Sequence, residues 1–206
     1  MNKYDQALRY EIFTNKEYSF ADDKISQAKL IFDVGAHKGY FSEYCITLNP
    51  NVVIHAFEPV SSPELFIPNV IWNKQAIWIH SWTTDFWTND QKSMQSSFFT
   101  NTFLNPHGSK VQVDVTSISE YLETHHISHI DLLKMDIEWA EYEVLENMDD
   151  QIWSRIDSII VEYHQITPEL KIRHIDLEQR LANIFPHFSV LSNPYSKDLG
   201  YWRGRR

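Results

Sequence analysis

The feature that most constrains the fold of this chain is a series of short apolar runs separated by turns and helical patterns. Each run has five to eight residues, rich in Val, Ile, Leu and Phe, and several are apolar almost throughout. Such runs are typical of strands that are buried on both faces of a parallel sheet. The runs are residues 30–34, 52–57, 70–77, 130–135 and 158–163.

Helical patterns separate these runs and thereby predict the fold class. They cover residues 40–48, 117–124, 138–148 and 168–184. Strands that alternate with helices imply βαβ units. The sequence therefore predicts an α/β protein with a doubly wound, mostly parallel sheet that carries helices on both faces.

Two of these helices carry polar signals that can be read in advance. Ser117 and Glu120 have the spacing of a capping box, in which each side chain accepts an amide hydrogen at the start of a helix. Three glutamates in the third helix, Glu141, Glu143 and Glu146, are expected to form a solvent-exposed face.

The chain has no internal repeat and no linker-like segment, so we predict a single domain over residues 1–206. Residues 1–29 are expected to form an N-terminal helical extension and residues 30–165 the core. Residues 166–206 are expected to add a helix, strands and a basic tail. Alternation over residues 77–86 predicts an extra antiparallel hairpin, followed by a long loop of the kind that often carries function.

Charge and cysteine content narrow the partners and the compartment. The net charge is −10, whereas a nucleic-acid-binding protein normally shows a basic stripe, so no nucleic-acid partner is expected. The one basic cluster, Arg203, Arg205 and Arg206, is expected to be a solubilising or disordered tail. A single cysteine excludes an intramolecular disulfide, and the absence of a signal-like or membrane-length apolar segment favours the cytoplasm, away from membranes.

One strand–turn–helix motif carries the chemistry. The first run ends in Asp33-Val34-Gly35, and Gly39 follows four residues later in a chain that has only 5 glycines. Glycines placed so close together indicate backbone that must approach a ligand or a helix closely. Glu58 follows the second run, where a carboxylate can accept hydrogen bonds from both hydroxyls of a ribose. The two strand ends therefore outline a nucleoside site.

The spacing in this motif distinguishes between nucleosides. A dinucleotide fold uses G-x-G-x-x-G to hold a pyrophosphate, whereas this chain has Asp33-x-Gly35-x-x-x-Gly39. A carboxylate beside the loop repels phosphate and suits an amino group. S-adenosylmethionine (SAM) has an ammonium and a ribose and no phosphate, so it is the predicted cofactor. A nicotinamide-dependent oxidoreductase is the less favoured enzymatic alternative.

Four blocks of the chain, in order, resemble the FkbM family of SAM-dependent methyltransferases. The Lys-x-Asp-x-Glu block is the most specific of them, because many methyltransferases share the first two. The resemblance covers about residues 29–165 and implies a class I, Rossmann-like methyltransferase fold. The blocks are residues 33–42, residues 57–59 (Phe-Glu-Pro), residues 133–145 with Lys134-x-Asp136-x-Glu138, and residues 161–164 (Val-Glu-Tyr-His).

The resemblance implies which residues would bind the cofactor. The methionine end of SAM would lie against Asp33, Gly35 and Gly39, the ribose against Glu58, and the adenine near Gln75 and Ala76. The complete set expected to bind the cofactor is Asp33, Gly35, Ala36, His37, Gly39, Glu58, Pro59, Gln75 and Asp136.

Two residues depart from the family pattern. His37 stands where the family usually has asparagine, and Trp139 replaces the glycine that usually follows the Glu138 position. Tryptophan at this point would narrow the acceptor pocket or pack on the fold. The alternative function is therefore a SAM-binding module that has lost catalysis.

The candidate catalytic residues are Lys134, Asp136 and His164. Lys134 and Asp136 lie two apart at the end of a strand and therefore point to one face. Asp136 can orient the ammonium of SAM or accept a proton, although a structural ion pair between Lys134 and Asp136 at the edge of the sheet is also open. His164 is the best histidine candidate for a general base, because its unperturbed pKa lies near 6.5.

A divalent metal site is the remaining alternative at this end of the sheet. Asp136, Glu162 and His164 could form one, but their spacing is generic, so we expect no metal. The predicted function is SAM-dependent methylation, directed at a hydroxyl oxygen of a small molecule or sugar. The acceptor and the oligomeric state stay open, and residues 87–108 and the tail from Pro194 are expected to shape the acceptor pocket.

Overall fold

The protein forms two β-sheets with helices packed against them. A computed structural model describes residues 3–63, 66–88, 109–138, 140–165, 167–193 and 196–206. The strands are β1 (Leu30–Val34), β2 (Val53–Phe57), β3 (Val70–Asn73), β4 (Gln75–Trp78), β5 (Trp82–Thr88), β6 (Ser109–Ser117), β7 (Leu132–Met135), β8 (Ser158–His164), β9 (Ser189–Asn193) and β10 (Ser196–Arg205). The helices are α1 (Lys3–Phe13), α2 (Asp22–Gln27), α3 (Tyr40–Leu48), α4 (Ile118–Thr124), α5 (Glu141–Glu146), α6 (Asp150–Ser154) and α7 (Pro168–Ile184), with a 3-10 turn at Ser19–Ala21.

The larger sheet confirms the predicted fold class. Its seven strands have the order β3-β2-β1-β7-β8-β10-β9. The first five are parallel, and β10 pairs antiparallel with both β8 and β9. Strand order reverses between β1 and β7, and ligands bind in the crevice outside such a switch point. The ends of β1 and β7 therefore fix where a site is expected.

Alternating side chains of β1 fill a different core on each face of the sheet. Phe32 packs with Phe57 and Tyr121 on one face, and Ile31 belongs to the cluster of Cys45 on the other. All of these side chains are buried. Each fully buried large apolar side chain contributes roughly 1.5–3 kcal/mol, which explains why the apolar runs identify these strands.

The third apolar run, residues 70–77, does not form one strand. β3 ends at Asn73 in the larger sheet, and β4 begins two residues later in a second sheet of order β4-β6-β5. The predicted hairpin over residues 77–86 is wrong, because β6 lies between β4 and β5. Ala76 of β4, Phe86 of β5 and Val113 of β6 belong to one small apolar cluster, which holds the three strands together.

Helix boundaries follow the sequence signals except where the backbone is left-handed. The capping box is confirmed: Ser117 Oγ accepts from the Glu120 amide at 3.1 Å, and the Glu120 carboxylate accepts from the Ser117 amide at 3.4 Å. The helix predicted over residues 138–148 is shorter, because Glu138 has a φ of 52° that a right-handed helix cannot contain. Only Glu141–Glu146 is helical there.

The C-terminal arginines belong to the sheet, so the predicted disordered tail is wrong. Arg203 and Arg205 lie in β10, where they pair with β8. Arg206 donates hydrogen bonds to the carbonyls of Ile156 and Trp153. Among the described residues, no helix has the length and apolar character needed to cross a lipid bilayer.

Candidate active site

The loop between β1 and α3 approaches its neighbours so closely that it requires glycine. Gly35 has a φ of +75°, and a Cβ at this position would lie 1.7 Å from the carbonyl oxygen of Asp136. The amides of Gly35 and Ala36 both donate to the Phe57 carbonyl at 3.0 Å. The loops that follow β1, β2 and β7 are therefore tied together at Gly35.

Two further left-handed residues lead this loop into α3. His37 has a φ of 51° and Gly39 a φ of 81°. Histidine and asparagine are both enriched in left-handed conformations. The histidine of this chain therefore suits the left-handed backbone at position 37, as would the asparagine expected from the family resemblance. Burial lowers the pKa of the His37 imidazole, which favours its neutral form.

Glu58 is held by backbone amides at the end of β2. Its Oε2 accepts from the His37 amide at 3.0 Å, and its Oε1 accepts from the amides of Val60 at 3.0 Å and Ser61 at 3.1 Å. Burial raises the pKa of Glu58, and the three hydrogen bonds oppose this effect. A carboxylate has about four lone-pair sites, so about one remains on Oε2 for a ligand. Glu58 can therefore still accept a hydrogen bond from a ligand, and its binding of a ribose stays a prediction.

Asp33 and Lys134 form a buried ion pair beneath the same loop. Lys134 Nζ lies 3.3 Å from Asp33 Oδ1 and donates to the Gly35 carbonyl at 2.8 Å, and Ser42 donates to Asp33 Oδ2 at 2.7 Å. Burial lowers the pKa of Lys134, but the charges of Asp33 and Asp136 outweigh burial and raise it above its usual value. Lys134 therefore keeps its proton, which favours a positioning role over proton transfer.

The ends of β7 and β8 carry carboxylates in excess of cations. Asp136 and Glu138 follow β7, and Glu162 lies in β8. Burial raises the pKa of Glu138 and of Glu162, and the charge of Asp136 adds to both shifts. These carboxyl groups therefore bind protons more tightly than exposed carboxyl groups do.

His164 lies between two of the acidic side chains. Its Nδ1 is 3.3 Å from Glu141 Oε1, and its Nε2 is 3.7 Å from Glu138 Oε2. Burial lowers the pKa of His164, but these carboxylates outweigh burial and raise the pKa to about 10. An imidazolium donates a proton rather than accepting one. At neutral pH this geometry does not favour His164 as the general base, and that assignment stays a prediction.

Glu141 is a site residue that the sequence analysis placed wrongly, on an exposed helix face. Its side chain is fully buried, and Oε1 accepts from the Ile137 amide at 3.0 Å as well as facing His164. Glu143 and Glu146 of the same helix do lie nearer the surface, where both pair with Arg173. The sequence did contain one signal that could have placed Glu141 in the site, namely its position within the family-like block of residues 133–145.

A cleft lies between two groups of residues. We call the residues at the ends of β1 and β2 and in the loops after them the β1–β2 half, and those at the ends of β7 and β8 and in the loops after them the β7–β8 half. Seven of the predicted site residues line it: Gly35, Ala36, His37, Glu58, Pro59, Lys134 and Asp136. The described residues that line the cleft do not include four other predicted ones: Asp33, Gly39, Gln75 and His164. Ala76, next to Gln75, does line it.

The N-terminal extension contributes a wall of the cleft, which the sequence did not indicate. Leu8, Ile12 and Tyr18 line the cleft beside Tyr40 of α3. Asp5, whose side chain is fully buried, accepts from Lys38 Nζ at 2.8 Å. Arg9 pairs with Glu43 in addition. These ion pairs hold α1 against α3 at the mouth of the cleft.

Several predictions about the acceptor pocket fall on residues outside those that the structure describes. They concern Trp139, residues 89–108 and Pro194. The narrowing of the pocket by Trp139 therefore stays a prediction.

The fold defines a class of protein. A ribosomal RNA methyltransferase from Plasmodium falciparum superposes with a TM-score of 0.56 at 12% sequence identity, and the match covers 93% of this chain and 94% of that one. At this identity the similarity concerns the fold alone. The chain has the Rossmann-like fold of methyltransferases.

Sequence comparison identifies the family. Residues 33–199 match the family model of the methyltransferase FkbM domain. Methyltransferase 1 of Beauveria bassiana is 31% identical over 185 residues, covering 75% of this chain and 72% of its own. The 31-O-demethyl-FK506 methyltransferase FkbM of Streptomyces tacrolimicus is 24% identical over 201 residues, covering 78% and 75%. The chain belongs to the FkbM family of methyltransferases.

Proposed function

We propose that this protein is a SAM-dependent methyltransferase that methylates a hydroxyl oxygen of a small molecule or sugar. The observation that carries the proposal is the charge distribution of the cleft at the switch point. Glu58, Asp136 and Glu138 line it, and Lys134 is the one lysine or arginine among the described lining residues. Because Asp33 and the Gly35 carbonyl already engage Lys134, the cleft suits a cationic ligand without phosphates.

The residues present fit SAM in chemistry as well as in charge. Asp136 is half-buried at the end of β7, where a carboxylate can hold an ammonium group. The free lone pair on Glu58 Oε2 can accept from a ribose hydroxyl, and Ala76, Ile77 and Phe86 provide apolar walls for a base. A dinucleotide would instead bring two phosphates towards the three carboxylates, at an electrostatic cost.

Methylation of oxygen sets two requirements for the chain. When bound, SAM supplies an electrophilic methyl group on a positively charged sulfur. The C–S bond breaks with its electron pair going to sulfur while the O–C bond forms, and the hydroxyl proton leaves. The chain must therefore hold the acceptor oxygen in line with the methyl group and provide a proton acceptor. Asp136 and Glu138 are the carboxylates of the β7–β8 half that line the cleft.

The name of one relative supports oxygen as the target. The Streptomyces relative is named as a 31-O-demethyl-FK506 methyltransferase, and this name describes a substrate that lacks a methyl group on an oxygen. The surplus of carboxylates in the β7–β8 half agrees with a reaction that releases a proton.

Calorimetric titration with SAM and with its demethylated product tests the proposal, followed by a turnover assay over a panel of hydroxylated acceptors. We expect one binding site per chain for both ligands and methyl transfer to an alcohol. Absence of binding to both ligands would contradict the proposal. Binding without turnover on any acceptor would support the alternative of a SAM-binding module. Fluorescence of NADH mixed with the protein serves as the control for a nicotinamide site, and no change is expected.

A further inference from the structure

Three side chains of metal-binding type converge beside the cleft. Asp136, Glu138 and His164 each offer one ligand atom, and these atoms all lie within 4.8 Å of one another. Asp136 and Glu138 also line the cleft, so a group held by them would face a bound acceptor. Two carboxylates and an imidazole form a donor set that suits first-row divalent cations such as Mn²⁺.

The separation between two of these atoms agrees with a shared ion. His164 Nε2 lies 3.7 Å from Glu138 Oε2, which is too long for a hydrogen bond. Two atoms that each bind one cation at about 2.1 Å can be at most about 4.2 Å apart. The observed distance lies within this limit, so one cation between the two atoms can contact both.

The surroundings of His164 provide a second, independent observation. The residue is 7% exposed, and its Nδ1 has no aligned hydrogen bond to a described residue, although Glu141 Oε1 lies 3.3 Å away. Histidines that bind metals usually direct the other ring nitrogen at a carboxylate, which fixes the tautomer. Glu141 takes this place at His164, since it lies beside Nδ1 while Nε2 faces Glu138.

The carboxyl groups of this region could compensate the charge of a bound cation. Four of them, from Asp136, Glu138, Glu141 and Glu162, lie around the single imidazole of His164. The neighbouring ammonium of Lys134 is engaged by Asp33. A buried cation is stable only when opposite charges compensate it, and carboxyl groups that release their protons can do so here.

We propose that Asp136, Glu138 and His164 bind a divalent cation of the Mn²⁺ type, and that Glu141 orients His164. Three protein ligands leave positions of a six-coordinate ion open to the cleft. On the proposed function, an acceptor with a hydroxyl and a neighbouring oxygen would occupy two of them, and the ion would polarise the hydroxyl that is methylated. The sequence analysis named Glu162 in this set, and the structure replaces it with Glu138.

Binding of Mn²⁺ alone to metal-free protein tests the proposal without SAM or acceptor. The spectroscopic signal of free Mn²⁺ is measured during titration. A second candidate cluster, His129, Asp131 and Asp157, is more exposed, so all variants are made in an Asp157→Asn background to remove it. We expect one site per chain, weakened at least about tenfold by Glu138→Gln and about 10–100-fold by Glu141→Gln.

Glu143→Gln is the matched control for Glu141→Gln, because Glu143 lies on the same helix and pairs with Arg173 instead of facing His164. It should bind Mn²⁺ as its parent does. Unchanged binding in Glu138→Gln, or an equal loss of binding in Glu143→Gln, would overturn the assignment. Circular dichroism monitors folding, and Asp136→Asn replaces Glu138→Gln if the latter does not fold.

The same protein separates the two proposals. If the parent binds SAM but no Mn²⁺ at millimolar concentration, the metal proposal fails and the methyltransferase proposal stands. If the parent binds Mn²⁺ but neither SAM nor its demethylated product, the metal site stands and the proposed function fails.

Discussion

The buried carboxylates of the β1–β2 half and of the β7–β8 half differ in how many partners they have. In the β1–β2 half, Asp33 has Lys134 and Ser42 as partners, and Glu58 accepts three backbone amides. In the β7–β8 half, Asp136, Glu138 and Glu162 share one imidazole. The carboxylates of the first half therefore have partners before a ligand arrives, whereas those of the second need a ligand, a proton or an ion to compensate them. We infer that the first half, together with Asp136, binds the cofactor and that Glu138 and His164 belong to the chemistry.

The largest expected effect comes from breaking the completed pair. Asp33→Asn leaves the Lys134 ammonium buried without its counter-charge, and we expect it to lower the free energy of unfolding by about 3–5 kcal/mol. Glu162→Gln removes a buried carboxyl group that has the carboxyl groups of Asp136 and Glu17 near it as well as His164, so it should leave stability at pH 8 unchanged or raise it. Urea unfolding of both variants measures this difference. Equal losses in the two variants would remove the distinction between the halves.

Gly35→Ala should have the next largest effect on stability, because it inserts a Cβ 1.7 Å from the Asp136 carbonyl oxygen at a φ of +75°. We expect a loss of about 3 kcal/mol or more, with loss of SAM binding, because the loops after β1, β2 and β7 must separate. Gly39→Ala is the matched control. Its backbone is left-handed as well, with a φ of +81°, but its Cβ would come closest to the flexible end of Ile67, at 2.9 Å, so its cost should be smaller.

The sequence predicted the elements whose signals are local and failed for those that depend on distant neighbours. The buried parallel strands were predicted because both of their faces are apolar, and α3 and α7 were predicted from apolar spacing and end signals. Strands were expected after α7, but the end of β10 was taken for a tail because its arginines form a basic cluster, yet pairing with β8 and β9 fixes it. Neighbours that are distant in the sequence determine this strand.

The residues of the candidate site also differ in whether the sequence identified them. The strand-end residues of the β1–β2 half were identified from local spacing, and the structure places Gly35 and Glu58 at one cleft. Glu141 and the wall formed by α1 were not identified, because their importance depends on what packs against them. A glutamate on a helix looks exposed until His164 is placed beside it.

Alkaline pH should weaken the folded state through the β7–β8 half. The carboxylates raise the pKa of His164 to about 10, so its contribution is complete below about pH 6.5 and is lost as the pH rises towards 10. The raised pKa values of Glu138 and Glu162 act in the same direction. In buffer with a chelator, we expect His164→Asn to unfold with a weaker dependence on pH between 6.5 and 10 than the parent. Parallel curves would contradict this assignment of charge.

The smallest expected effect is a gain in stability. Glu138 has a left-handed φ of 52°, which costs a residue with a Cβ about 1 kcal/mol, so Glu138→Gly should raise the free energy of unfolding by about 0.5–1 kcal/mol. Methyl transfer should be lost at the same time. Thermal unfolding and turnover, measured on one preparation, test whether stability rises while methyl transfer is lost. A fall in stability would show that the carboxylate supports the fold.

Titration of SAM into two variants side by side tests the division of the cleft most directly. Glu58→Ala removes the proposed ribose ligand and should weaken SAM binding by about 1.5–3 kcal/mol, because a hydrogen bond to a charged group is lost. Glu138→Gln, in the other half, should bind SAM within about threefold of the parent while methyl transfer falls. The opposite ranking, in which Glu138→Gln loses SAM affinity and Glu58→Ala keeps it, would contradict the account.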